Sequence, residues 1–531
     1  MHLPPDVSQE RFNEATSRFA RVLGPEWVFT SDEDIDLYRD AYSPFKGEED
    51  LEYIPSGAIA PKSVEEVQEI VRIANEFLIP LWPISTGRNL AYGGAAPRLT
   101  GTMVLDLKRM NRVLEVNEKL AYALVEPGVS YFDFYRYLRA NNLKVWLDCP
   151  DPGWGSLIGN ALDHGVGHTP FRDHFGSHCG MEVVLPNGEL IRTGPGAIPN
   201  SPSWNTFKYG FGPHISPMFG QSNFGIVTKM GFWLLPEQQA ARDCVVQVPL
   251  YENVTPFLEI MTHLVCSSII DGSWQIERSI RQSQDPDIRA ALEKGVSNEE
   301  LGQIGAKKGI AYWWTRLHFY GPPGVIDAKY AYVREKFAAI PGTTITLGGD
   351  YRFPLDPDTV DNSEDLFAKA SLGIPELAIF SLTAQARAAQ SLRGQAGFSP
   401  VIPATGPELM RAHRVFTEAF RELGLGAPTL DVVWSWFDRS LVMLMGMITG
   451  DDPQANKIKR ENFKRLIAIA GENGWGAYRT APLFMDEVMA VHSFNNHALR
   501  RFHETVKDAL DPNGILAPGK SGIWPKRLRK S

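Results

Sequence analysis

Apolar and polar positions follow two different spacings along the first 235 residues. After Ser63, apolar residues recur at intervals of three and four, which predicts an amphipathic helix with Ser63 and Glu66 as a capping box. Short apolar or alternating runs between turn residues predict strands. The further predicted elements are strands at 79–84, 103–107 and 121–125, a turn at 126–128, a helix at 131–142, a two-stranded hairpin within 180–191 and a β segment at 223–235.

The pattern changes after Pro236, where longer helix-like stretches dominate. They lie near 255–266, 325–339, 407–423 and 456–473. Interleaved strands and helices indicate an α+β fold, and 531 residues exceed the usual size of one hydrophobic core. We therefore predict a domain made of residues 1–238 and 478–531, with a second domain, 239–477, inserted between its two parts.

Charge and cysteine usage narrow the class of protein. The net charge of -9 disfavours a nucleic-acid partner, and the basic run 526–530 is typical of a solvated tail. The four cysteines form no CxxC pair, which suits neither a disulfide framework nor a structural zinc site. With no signal-peptide pattern and no apolar run of about 18 residues, we expect a cytoplasmic enzyme without a membrane span.

A glycine-containing loop follows the predicted strand at 79–84. Residues 85–94, Ser-Thr-Gly-Arg-Asn-Leu-Ala-Tyr-Gly-Gly, can bring backbone N–H groups close to an anion. Such a loop is also compatible with an ordinary turn. The chain has no strand-flanked GxGxxG, since the nearest match, 153–159, is spaced differently, so a Rossmann nucleotide site is not supported.

Four stretches together resemble the vanillyl-alcohol oxidase and p-cresol methylhydroxylase family of flavoproteins: 83–97, 147–151, 219–229 and 511–522. The resemblance is strongest in 55–235 and 470–525. It implies an FAD-binding domain with a substrate cap, in a homo-oligomer. The cofactor-binding residues that it implies are Ser85, Thr86, Gly87, Arg88, Asn89, Pro150, Gly155, Ser156, Asn160, Gly225, Ile226, Val227, Gln395 and Lys520.

The resemblance also implies a reaction, the removal of a hydride from the benzylic carbon of a para-substituted phenol. The hydride leaves easily only from the phenolate, so the protein must lower a phenol pKa of about 10. By resemblance Tyr92, Tyr478 and Arg479 do this through charge and hydrogen bonds. Expected substrates are small 4-alkylphenols and 4-hydroxybenzylic or allylic alcohols. A tyrosine taken alone is more often a packing residue.

Two further residues are candidates for acid–base roles. Asp151 matches an acidic residue that the family places by the flavin and the benzylic carbon, where it acts as a base; the alternative is a loop-capping aspartate. His168 stands where relatives usually carry a tyrosine. It is either a proton relay to the phenol or a tolerated pocket residue.

The flavin linkage is a departure from the family pattern. In many members a cap histidine, three residues before an aromatic-Ser-Pro sequence, binds the flavin covalently, but Gln395 has that place before Phe398-Ser399-Pro400. Residues 352–411 contain neither His nor Tyr, and residues 3–163 contain no histidine. We therefore expect FAD to be bound non-covalently.

Three alternatives remain at the level of sequence. A metal site is suggested by His164, His168, His174 and His178, although Gly165, Gly167 and Pro170 interrupt any helix that would align them. The electron acceptor is O2 or, as in some relatives, a cytochrome. A flavin-binding protein with little activity is the third possibility, against which the presence of Tyr92, Asp151, Tyr478 and Arg479 counts.

Overall fold

The computed structural model describes residues 2–48, 51–90, 92–363, 365–381, 394–426 and 430–529. Within these ranges no helix is both long and apolar enough to cross a membrane. The α-helices are α1 Gln9–Leu23, α2 Asp32–Leu37, α3 Val64–Phe77, α4 Tyr131–Ala140, α5 Leu157–Leu162, α6 Val254–Cys266, α7 Pro286–Lys294, α8 Asn298–Lys307, α9 Pro323–Phe337, α10 Ala368–Ser371, α11 Gly406–Glu422, α12 Pro453–Glu472, α13 Met485–Ala490 and α14 Phe494–Leu510.

The strands are β1 Val28–Phe29, β2 Gly57–Ile59, β3 Leu81–Ile84, β4 Met103–Asp106, β5 Val113–Asn117, β6 Tyr122–Val125, β7 Val145–Trp146, β8 His178–Val184, β9 Leu190–Arg192, β10 Ile226–Trp233, β11 Leu235–Pro236, β12 Ala240–Val248, β13 Trp274–Glu277, β14 Trp313–Gly321, β15 Thr344–Arg352, β16 Gly394–Pro403, β17 Val432–Phe437, β18 Ser440–Met443, β19 Met445–Thr449 and β20 Ala477–Thr480. The predicted α+β class is confirmed. The helix predicted after Ser63 is α3, and the Ser63 side chain accepts the Glu66 N–H as expected, whereas the Glu66 carboxylate accepts from Lys62.

Two sheets are built from strands of the first 235 residues. The first has the order β1-β2-β4-β3, in which β2 and β3 both run parallel to β4. The second is antiparallel with the order β5-β6-β10-β8-β9. Each has a hydrophobic core on one side: α1 and α3 pack near the first, and α4 and α5 near the second. The loop that follows β3 and the start of β10 therefore lie at the ends of buried strands.

A larger sheet is built from the later strands. In the described part of the chain its order is β15-β12-β14-β13-β17-β18-β16-β19, and β20 pairs with β16 beside this path. The β16 to β20 pairing places Phe398 opposite Thr480. The strand that carries Tyr478 and Arg479 is thus hydrogen-bonded into this sheet. The domain boundaries at residues 238 and 477 stay predictions.

The C-terminal segment returns to the first sheet and continues it beyond β3. The Leu81 N–H donates to the carbonyl of Ile515 at 2.7 Å, and the Ala517 N–H donates to the carbonyl of Leu81 at 2.7 Å. A buried ion pair holds this segment, because Lys507 Nζ lies 2.7 Å from Asp511 Oδ2 and both side chains are 0% exposed. Asp511 in turn accepts the N–H groups of Ile515 and Leu516.

This ion pair gives a prediction about stability. Lys507→Met should lower the free energy of unfolding by about 3–5 kcal/mol, because it leaves the Asp511 carboxylate buried without its cation. Urea denaturation of the purified variant measures the change. The matched control is Arg465→Met, which removes one partner of the exposed Arg465–Glu472 pair and should cost about 1 kcal/mol or less. Equal effects of the two substitutions would contradict the role given to Lys507.

Candidate active site

A cavity of about 1250 Å³ lies where the loop after β3, the helix α5 and the start of β10 meet. Twelve of the residues predicted to bind a cofactor line it: Ser85, Thr86, Gly87, Arg88, Asn89, Gly155, Ser156, Asn160, Gly225, Ile226, Val227 and Lys520. They come from four separate parts of the sequence. A wall that contains the glycine-containing loop after β3 suits a ligand with phosphate groups, because such loops bring backbone N–H groups close to an anion.

Close packing explains why glycines occupy two positions in this wall. Gly87 has a φ of +66°, and a Cβ there would lie 3.0 Å from side-chain atoms of Ile84 and Ala95. A Cβ on Gly159 would lie 2.1 Å from Ser85 Oγ. The first glycine lets the loop after β3 turn, and the second lets α5 pack against that loop.

Gln395 and Pro150 lie outside this wall. Gln395 lines a smaller neighbouring cavity of about 420 Å³, which shares Ala96 and Pro482 with the large one. Its backbone N–H donates to the carbonyl of Tyr42. Pro150 is buried beside Asp151. Contact between either residue and a bound cofactor therefore stays a prediction.

Arg479 lies between two tyrosine rings. Its Cζ is 4.8 Å from the ring centroid of Tyr92 and 5.5 Å from that of Tyr478, and its Nε donates to the carbonyl of Asp163 at 3.0 Å. Burial opposes the charge, but Tyr478, Tyr92 and Asp163 outweigh it and raise the pKa of Arg479. A second cavity, of about 1350 Å³, is lined by Tyr92, Tyr478 and Arg479 together. The structure thus brings the three predicted residues into one group.

The hydroxyl of Tyr92 and the backbone of Tyr478 are each held in place. The Tyr92 hydroxyl is 2.8 Å from the Oγ of Ser399 on β16. The carbonyl of Tyr478 accepts from Gln221 Nε2 at 2.7 Å. Burial raises the pKa of Tyr478 above its ordinary value, although Arg479 acts in the opposite direction. Tyr478 is therefore neutral and can donate a hydrogen bond.

Asp163 is a residue that the sequence reasoning missed. Its carboxylate accepts from Lys520 Nζ at 2.8 Å and from Asn89 Nδ2 at 2.9 Å. Burial alone would raise the pKa of Asp163, but Lys520 and Arg479 hold it below its usual value. Asp163 therefore connects Lys520 and Arg479, the two cations of the site. In the sequence, only the position of Asp163 at the end of the segment Asn160-Ala-Leu-Asp163 could have indicated that it belongs to the site.

Asp151 lies in a partly buried position and faces the segment after α10. Its Oδ2 accepts the Ile379 N–H at 3.0 Å, and its Oδ1 has no hydrogen-bond partner among the described residues. Burial raises the pKa of Asp151 to about 7. Glu376 is a second carboxyl group here, missed by sequence reasoning because nothing near it in the chain marks it. Burial, and then the charge of Asp151, raise its pKa to about 7.

His168 lies apart from Arg479, at the other end of a row of aromatic rings. Its ring stacks on Phe367 with centroids 4.6 Å apart, and its Nδ1 is 3.1 Å from Ser273 Oγ. Ring contacts then run through Trp434 and Trp436 to Tyr478. Burial lowers the pKa of His168 to about 3, so the ring is neutral. A relay from His168 to the phenol stays a prediction.

The four histidines that suggested a metal site make different local contacts in the fold. Among the residues that the structure describes, no group of three or more His, Cys, Asp or Glu side chains is arranged to hold a metal ion. His168 contacts Ser273, whereas His178 Nδ1 donates to the carbonyl of Phe175. Each histidine is thus engaged in its own local contact.

Comparisons with known proteins agree with this geometry. A family model described as an FAD binding domain matches residues 55–194. The 4-cresol dehydrogenase (hydroxylating) flavoprotein subunit of Pseudomonas putida is 32% identical over 98% of this chain and 97% of its own. The 4-ethylphenol oxidase of Gulosibacter chungangensis, solved as an isoeugenol complex, is 34% identical with a TM-score of 0.84, covering 99% of this chain and 100% of that one.

A second solved structure extends the match over the later sheet as well. p-Cresol methylhydroxylase with substrate bound is 31% identical, with a TM-score of 0.85 and 99% of both chains covered. The similarity therefore includes the wall of the large cavity, the strand β20 and the sheet to which it belongs. The chain belongs to the vanillyl-alcohol oxidase and p-cresol methylhydroxylase family of FAD-dependent oxidoreductases.

Proposed function

We propose that this protein oxidises para-substituted phenols by transferring a hydride from the benzylic carbon to FAD. The observation that carries the proposal is the position of Arg479, beside the rings of Tyr92 and Tyr478 and in the wall of the cavity that the loop after β3 lines. FAD, when bound, supplies the hydride acceptor. The similarity to a 4-cresol dehydrogenase subunit and to a 4-ethylphenol oxidase supports the substrate class.

The protein's part is first to bind the phenol as its anion. A fixed guanidinium and a neutral tyrosine hydroxyl stabilise a phenolate oxygen and lower a phenol pKa of about 10. The oxygen of the phenolate then donates electron density to the para carbon, which lets the benzylic carbon lose a hydride. The product of that step is a quinone methide. We infer 4-alkylphenols and 4-hydroxybenzylic or allylic alcohols as substrates.

Asp151 is the proposed base for the steps that follow hydride loss. It takes a proton from the water that adds to the quinone methide, or from the substrate hydroxyl. A carboxylate with a pKa near 7 suits this task because it is both substantially ionised and basic at neutral pH. Water addition gives an alcohol, and proton loss gives a carbonyl compound or an alkene.

We further propose that FAD is held without a covalent bond and that O2 reoxidises it. An amide side chain at Gln395 cannot form the linkage that a histidine forms.

The alternative electron acceptor to O2 is a cytochrome, and the similarity to a dehydrogenase subunit supports this alternative. Anaerobically reduced enzyme mixed with O2 distinguishes the two, since an oxidase is reoxidised within a catalytic turnover and a dehydrogenase is not.

The absorption spectrum of the purified protein before and after acid precipitation tests the cofactor proposal. Yellow colour released into the supernatant is the expected result, because no covalent bond retains the flavin. Anaerobic addition of 4-ethylphenol to the holoenzyme should then bleach the flavin band. Colour that stays in the pellet would overturn the proposal of non-covalent FAD, and an FAD-loaded protein that no 4-alkylphenol bleaches would overturn the proposed reaction.

Replacement of Arg479 tests the phenolate mechanism. Arg479→Ala should lower kcat/KM by about 100-fold or more, because a charge-assisted contact to the phenolate is lost. Arg439→Ala, which removes an exposed arginine of the same sheet region, is the matched control and should leave kcat/KM within about twofold. Near-wild-type kcat/KM in the Arg479 variant would sink the mechanism.

The raised pKa of Asp151 predicts the dependence of activity on pH. Below about 7 the carboxyl is protonated and cannot act as a base, so kcat should rise as the pH rises through about 7. In Asp151→Asn this rise should disappear, and kcat should be low throughout. Asp358→Asn, at an exposed position, should keep the wild-type profile. The same rise in the Asp151 variant would assign it to another group.

A further inference from the structure

A buried polar cluster lies behind the wall of the cavity that the loop after β3 lines, and it has no part in the steps proposed above. Its members are Asp148, His174, Asn160 and Tyr131. The side chains of Asp148 and His174 are each 3% exposed. Asn160 is the member that reaches the cavity, because it lines the wall from α5. The cluster therefore connects a buried charge to the cofactor site.

His174 is the centre of the cluster. Its Nδ1 lies 2.6 Å from Oδ1 of Asn160 and 3.0 Å from the hydroxyl of Tyr131. Its Nε2 lies 3.7 Å from Oδ2 of Asp148, an ionic contact that is too long for a hydrogen bond. Within the described residues neither this Nε2 nor this Oδ2 has a hydrogen-bond partner. The two atoms therefore face each other.

The Asp148 carboxylate lies against the Nε2 edge of the His174 ring. A carboxylate taken out of water is strongly unfavourable unless a cation or hydrogen bonds compensate for it. Oδ1 of Asp148 accepts the Thr169 N–H at 2.9 Å, whereas Oδ2 has only the imidazole in front of it. The contact of 2.6 Å between Nδ1 of His174 and Oδ1 of Asn160 places an N–H at Nδ1, because an amide oxygen only accepts.

This arrangement fixes which end of the Asn160 amide faces the cavity. An asparagine offers an acceptor oxygen and a donor NH2 group, and its surroundings decide which of them points where. Because His174 holds Oδ1, the group that Asn160 can offer to a ligand in the cavity is Nδ2. That group donates, and FAD offers acceptors in its phosphates, its carbonyl oxygens and its ring nitrogens.

The backbone above the cluster leaves no room for it to rearrange. A Cβ on Gly165 would lie 1.9 Å from Asn160 Oδ1, and a Cβ on Gly167 would lie 2.2 Å from Asp148 Oδ1 and 2.5 Å from His174 Nε2. The chain thus passes in direct contact with all three side chains. Both glycines belong to the segment that ends at His168.

We propose that Asp148 and His174 are a positioning pair which holds the Asn160 amide with its donor group toward the bound FAD. The proposal rests on the proposed function, since it requires FAD in this cavity. It also ties the cofactor wall to the loop that carries Asp151, three residues after Asp148. Asp148 and His174 touch no ligand themselves, and their effect passes through Asn160.

A double-mutant cycle on FAD affinity tests the pair. Protein freed of FAD is titrated with FAD, and quenching of flavin fluorescence gives the Kd. His174→Leu and Asn160→Ala should each weaken binding by about 10-fold, the value of one hydrogen bond of about 1.4 kcal/mol. The double variant should also be weaker by about 10-fold, because both substitutions remove the same interaction. His178→Leu, at a buried histidine outside the cavity wall, is the matched control and should change the Kd by less than about twofold.

Each other outcome has a defined meaning. A double variant weaker by about 100-fold, the product of the two single effects, would show that His174 does not act through Asn160. An unchanged Kd in His174→Leu would overturn the proposal as well. If His174→Leu fails to fold, Asp148→Asn takes its place in the same double-mutant cycle. This substitution keeps the side-chain volume of Asp148 and removes its charge. Wild-type protein that binds no FAD would overturn the proposed function and the pair together, whereas FAD binding that the His174 variant leaves unchanged overturns the pair alone.

Discussion

The arrangement of the site depends on how one partly buried guanidinium is compensated. Arg479 has two aromatic faces beside it and a carbonyl of Asp163 as acceptor. The Asp163 carboxylate binds Lys520 in turn, so each charge in the group has a partner. A buried cation without such partners would be displaced or would destabilise the fold. The same contacts join the end of α5, the strand β20 and the C-terminal segment, which gives the two cavities beside Arg479 a common wall.

Much of the fold could be predicted from the sequence because its signals are local. The three- and four-residue spacing after Ser63 gave α3, and short apolar runs between turns gave β3, β4 and β6. The composition of the loop after β3 suggested either an anion-binding loop or an ordinary turn, and the structure puts this loop in the wall of a cavity. Such features depend on residues a few positions apart, so they can be predicted from a single sequence.

The contacts that complete the site could not be predicted in this way. Lys520 lies 357 positions from Asp163, and the N–H that binds Asp151 belongs to Ile379, 228 positions away. No spacing rule connects residues so far apart, since the pairing arises only when the sheets form. Glu376 was missed for that reason, and the cluster around His174 was considered only as a metal site. The resemblance to a family identified Tyr92, Tyr478 and Arg479, but gave no account of what holds them.

The return of the C-terminal segment to β3 has a consequence for the order of events during synthesis. The loop after β3 leaves the ribosome long before the segment 515–517 that flanks β3 and before the Lys520 that reaches Asp163. Domains generally fold as units while the chain is being made, yet this cavity lacks part of its wall until those residues emerge. The complete wall of the cavity can therefore form only after residues 515–520 have been made.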